Sequence, residues 1–64
     1  MLSNHIYNLV AQLAEEHKSL WRIKNEYLTD AEGCSDCTAW WQKMADDKEA
    51  HVADLLQMIK AHIA

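Results

Sequence analysis

The chain has 64 residues, a formal net charge of −4 and an apolar half. That length allows one domain whose core supplies only about 3–5 kcal/mol, so a disulfide, a metal or a partner chain is expected to reinforce it. The acidic balance lacks the basic footprint on which nucleic-acid binding depends, and the apolar content excludes a disordered chain. No apolar run approaches the ~18 residues of a membrane span, and Met1-Leu2-Ser3-Asn4-His5 carries no basic leader region. The expectation is a cytoplasmic protein with no membrane association.

Proline is absent and the single glycine is Gly33. Before it, Leu2, Ile6, Leu9, Val10, Leu13, Leu20, Tyr27 and Leu28 recur at the spacing of an amphipathic helix, with Ser3 or Asn4 as N-cap. This predicts a first helix over about 3–28. The connector, about 29–37, opens on Thr29-Asp30-Ala31-Glu32, which reads as a capping box. A second helix over about 38–63 carries Trp41, Met44, Leu55, Met58, Ile59 and His62, capped by Ser35, Asp36 or Thr38. Each helix spans roughly 37 Å.

Pairs placed nearly symmetrically about Gly33 (His5 with His62, His17 with His51, Leu13 with Leu55, Val10 with Met58, Tyr27 with Trp41) predict a helical hairpin folded back at that glycine. The fold class is therefore all-α, one hairpin domain over 1–64. Beside each core stripe lies a second apolar strip: Tyr7, Ala14 and Trp21 on the first helix, Ala45, Val52, Leu56 and Ile63 on the second. Two helices cannot cover both strips. A second copy can, giving a four-helix bundle as a homodimer or higher homo-oligomer. Docking of a different protein is the other use of such a surface.

At 100° per residue, Glu16, His17 and Lys24 fall on the core face of the first helix, and Lys48 and His51 on that of the second, with Asp47 at its border. Unpaired polar groups there are costly, so the layer needs partners. One reading is a satisfied network, Glu16 with Lys48 and the histidines beside them, which fixes register. The other is a metal site of Glu16, His17, Asp47 and His51, holding iron or manganese if carboxylates dominate and zinc if histidines do. His5 and His62 at the open end read as solvated.

The run Asp46-Asp47-Lys48-Glu49-Ala50-His51-Val52 followed by Leu55-Leu56 resembles the second-helix signature of ferritin-like di-iron proteins of the encapsulated-ferritin or rubrerythrin type, in which an acidic run leads into Glu-x-x-His. Ala14-Glu15-Glu16-His17 resembles the glutamate-bearing partner helix. The resemblance implies a metal site completed across a subunit interface, with His51 and Glu16 (or Glu15) as matching ligands and Asp47 as a displaced substitute. Lys48 stands where those proteins have a glutamate.

Cys34-Ser35-Asp36-Cys37 lies where the connector enters the second helix, and a helix N-terminus favours thiolate. Three readings stand: sulfurs that close the core end against Tyr27 and Trp41, half of a Cys₄ metal site completed by a second hairpin tip, or a redox-active dithiol. Trp21, Trp40 and Trp41 read as core or interface aromatics, since neither a glycine-rich loop nor a basic pocket accompanies them. The leading functional expectation is a ferritin-like metal site at a subunit interface. The alternative is a non-catalytic interaction or dimerisation module. Neither requires an enzyme.

Overall fold

The computed structural model describes residues 3–63. Leu2, expected in the first stripe, lies outside the described residues. The chain forms a first helical arm made of α1 (Asn4–Arg22), a π-helical turn (Ile23–Tyr27) and the short α2 (Leu28–Asp30), then a long α3 (Ser35–Ile63). No strand occurs among the described residues. α1 is capped by Ser3, whose extended backbone (φ −65°, ψ 159°) lets its hydroxyl accept from the Ile6 amide at 3.3 Å.

The π turn has a sequence cause. Ile23 is followed by three exposed residues, Lys24, Asn25 and Glu26, before the half-buried Tyr27 and Leu28. A turn closed by the Leu28 amide on the Ile23 carbonyl, five residues back, brings both to one side. Asn25 strengthens the widened turn by donating its side-chain amide to the Trp21 carbonyl at 2.8 Å.

The connector is shorter than the sequence predicts. Thr29 and Asp30 finish the first arm rather than cap a new turn: the Glu32 amide donates to the Thr29 carbonyl at 3.2 Å. Gly33 then takes φ +91°, open to glycine at little cost, and the chain reverses. α3 begins at Ser35, and its cap is Cys34, not Ser35, Asp36 or Thr38. The Cys34 carbonyl accepts from the Thr38 amide at 3.0 Å, and its sulfur accepts from the Cys37 amide at 3.4 Å. The Thr38 hydroxyl ties α3 back to the connector through the Ala31 carbonyl, at 3.2 Å.

The two arms pack antiparallel along most of their length. The buried apolar residues are Ile6, Ile23, Ala45 and Leu55, flanked by half-buried Leu9, Leu13, Leu20, Tyr27, Trp41, Val52 and Ile59. Several expectations change: Val52, assigned to the outer strip, is half-buried, and His62, assigned to the core stripe, is exposed. Val10 and Met58 are exposed, because each lies on the edge of its stripe. Ala45, assigned to the outer strip, is completely buried between the arms. Ile23, absent from the expected stripe, is the most buried large side chain.

The result is a rod of 47 × 16 × 13 Å. Its radius of gyration is 14.5 Å, whereas a compact chain of this length has about 11 Å. Its accessible surface is 4825 Å², against the ~4,200 Å² typical of a compact monomer of this mass. No helix among the described residues is long and apolar enough to cross a membrane.

Candidate functional site

The polar layer is built around Glu16, which lies on the α1 stripe between the half-buried Leu13 and Leu20. Its carboxylate is pressed against α3, with the side chain only 9% exposed. Lys48 Nζ approaches Oε2 at 3.1 Å, and His51 Nδ1 approaches the same oxygen at 3.4 Å. Gln12, one turn earlier on α1, donates its amide to Oε1 at 3.1 Å. Neither approach to Oε2 is aligned as a hydrogen bond, and the Lys48 ammonium holds that buried oxygen by charge. Burial pushes the Glu16 carboxyl up, but Lys48, Gln12 and His51 together outweigh it and leave the group below its ordinary value. Lys48 is itself 21% exposed, its stem lying along the core and its ammonium bent to Glu16.

The remaining polar residues assigned to the layer lie elsewhere. His17 is exposed and borders a depression with Trp21 and Arg22, while His51 borders another with Gln12, Asp54 and Met58. The two inner histidines therefore leave the hairpin on opposite sides. His17 lies to one side of the α1 stripe, close enough to be read as core from periodicity alone, and the line of helix contact turns it out. Asp47 faces solvent and pairs with Lys43 one turn earlier, at 3.4 Å. Lys24 is half-exposed and pairs across the hairpin with Glu49. The outer histidines do meet: the His5 and His62 rings pack edge to face at 5.4 Å, and His62 Nδ1 lies 2.7 Å from the Met58 carbonyl.

The chain thus brings together two metal-type donors, Glu16 and His51, with an ammonium on the same carboxylate oxygen. No cluster of three or more His, Cys, Asp or Glu that could hold an ion occurs among the described residues. Two donors do not complete a four-coordinate site, and the lysine opposes a cation at that oxygen. Within one hairpin the residues do not fit a metal.

The hairpin has two unlike broad faces. The Lys24–Glu49 pair marks one side, and the depression shared by Gln12, Glu16, His51 and Met58 marks the other. Helical phase puts Tyr7, Val10 and Trp21 of α1, with Leu56 and Ile63 of α3, on the first side. Among the described residues these are five of the seven large exposed apolar side chains, Tyr7 being 61% and Trp21 58% exposed. Trp40 and Met58 belong to the other side. No signal beyond the outer strips themselves tells from sequence that both converge on one face.

At the tip, Cys34 and Cys37 are exposed free thiols rather than plugs of the core end. They border a depression of about 350 Å³ whose wall includes Tyr27 and Trp41, with ring centroids 4.8 Å apart.

Comparison with protein-family models, with curated proteins and with solved structures found no match.

Proposed function

We propose that this hairpin is one half of a homodimeric four-helix bundle and acts as a non-catalytic association module, its Glu16–Lys48 layer setting the register of the two arms. The observation that carries this is the one-sided apolar face of Tyr7, Val10, Trp21, Leu56 and Ile63 on a chain with so few buried apolar residues. Apolar surface left in water loses about 25 cal/mol per Å², and a second copy presents the same face. The surface excess over a compact monomer and the elongated shape both suit a protomer that completes its core with a partner. The layer suits register: sliding one arm by a turn would strip Glu16 of its cation while leaving it buried, which is heavily penalised.

The test is sedimentation equilibrium on paired variants. Trp21→Glu or Leu56→Glu should give monomers, while Met58→Glu, on the opposite side, should leave the parent mass unchanged. A parent that is monomeric at ~100 µM, or a dimer dissolved by Met58→Glu alone, would overturn the reading.

The ferritin-like alternative draws support from one feature, the buried Glu16 Oε2 without an aligned donor and with His51 beside it. It requires association through the opposite face, so that a partner hairpin adds ligands, and displacement of Lys48. In that case Lys48→Glu gains stability from Fe²⁺, Mn²⁺ or Zn²⁺. In the association reading it melts early and no ion rescues it.

A further inference from the structure

The cysteine pair lies at the tip and takes no part in the polar layer. Cys34 occupies the cap position of α3 and Cys37 the third residue of its first turn, so one amide of that turn points at the Cys34 sulfur from 3.4 Å. The partial positive charge of a helix N-terminus falls on Cys34 and much less on Cys37, which lies inside the turn. The two thiols differ accordingly. Hydrogen bonding from the Cys37 thiol and amide lowers the Cys34 thiol below its ordinary value, and the same contact raises Cys37. Both are exposed, both open on the depression walled by Tyr27 and Trp41, and Asp30 and Glu32 stand at its rim. A cysteine placed as a cap serves no packing role, and serine or aspartate would cap more strongly.

We propose that Cys34 and Cys37 form a disulfide-exchanging dithiol in which Cys34 attacks and Cys37 resolves, acting on neutral or cationic disulfides seated against Tyr27 and Trp41. The Cys34 thiolate attacks one sulfur of a substrate disulfide. A Cys34–substrate disulfide forms, the substrate S–S bond breaks, and the first substrate thiolate leaves and takes up a proton. Cys37, losing its proton to solvent, attacks Cys34 Sγ and expels the second thiolate. The Cys34–Cys37 disulfide forms, two electrons pass to the substrate, and the protein is left oxidised. Cys34 is the attacking member because it carries the helix terminus and lies outside the turn. The restriction on substrate charge follows from the rim: Asp30 and Glu32, with Asp36 in the first turn and a net charge of −4, repel an anionic disulfide.

The test uses fully reduced protein mixed with cystamine (cationic) or oxidised glutathione (anionic), acid-quenched over time and read by intact mass. The parent should lose two hydrogens per chain without a lasting adduct. Cys37→Ser should trap one cysteamine on Cys34, and Cys34→Ser should react at Cys37 about tenfold more slowly. The rate ratio of cystamine to oxidised glutathione, divided by the same ratio for N-acetylcysteine, should exceed one by about tenfold at low salt. It should collapse in ~1 M NaCl and in the Asp30→Asn/Glu32→Gln variant. Equal rates at the two cysteines, a stable doubly adducted parent, a disulfide between chains, or a charge ratio equal to that of N-acetylcysteine would each overturn the proposal. Helicity by circular dichroism confirms that each variant is folded. Both sulfurs are exposed, so loss of reaction in a folded variant reports chemistry.

Discussion

Replacing Lys48 by methionine keeps the apolar stem and removes the ammonium that faces Glu16 from 3.1 Å. Breaking a fully buried ion pair costs about 3–5 kcal/mol, because the remaining charge is left uncompensated. Here the cost is smaller: Lys48 is 21% exposed, and His51, itself 56% exposed, still faces the same oxygen from 3.4 Å. We expect a loss of about 1–3 kcal/mol, a large share of what so small a core supplies. With a urea dependence of ~1 kcal/mol per M, the unfolding midpoint should fall by about 1–3 M. The pH dependence gives the sign. In the parent, Glu16 is held below its ordinary value, so its contribution is complete above the unfolded-state value near 4.3 and is lost as pH falls through the folded value. Without Lys48, burial is opposed only by Gln12 and His51, so the carboxyl rises from its value in the parent. The deficit of the variant should then shrink as the solution is acidified, because protonation removes the uncompensated charge. Urea titrations by circular dichroism at matched protein concentration, from about pH 7 to pH 4, measure that difference while other titrating groups cancel. A variant as stable as the parent at neutral pH, or one whose deficit grows on acidification, would show that Glu16 is not a buried charge.

Three further outcomes follow from the packing. Ile23→Ala removes the largest fully buried side chain and should cost about 2–4 kcal/mol by thermal melting, enough to leave much of the population unfolded. Gly33→Ala meets no atom within 4 Å, so its cost should be the backbone penalty alone, about 1–2 kcal/mol by urea titration. Ser3→Ala removes the α1 cap and should cost about 0.5–2 kcal/mol, with amide exchange accelerated at Ile6 in particular.

Much of the hairpin is legible in the residues. Periodicity and the lone glycine give two antiparallel helices, Ser3 is a recognisable cap, and symmetry about Gly33 brings His5 to His62 and Tyr27 to Trp41. Glu16 opposite Lys48 is legible for the same reason. What escapes depends on a few tens of degrees of rotation. His17 and His51 sit at equal heights but on opposite sides, since each lies on a flank of its stripe and height fixes only one coordinate. The π turn shifts the phase between Ile23 and Leu28 without a proline or glycine to announce it. Ala45 is misplaced because hydropathy and periodicity set it beside the core stripe, whereas the packed arms bury it completely. The Cys34 cap is missed because thiols are not among the residues that usually cap helices.

The central claim, that the hairpin completes its core with a second copy, is tested most directly by thermal unfolding across a hundredfold range of protein concentration. A dimer that unfolds to separate chains gains stability by mass action, so the midpoint should rise steadily with concentration. Trp21→Glu should abolish that dependence, and Met58→Glu should preserve it. A midpoint that stays constant from about 2 to 200 µM, with a cooperative transition, would contradict the account and leave the exposed face without its partner.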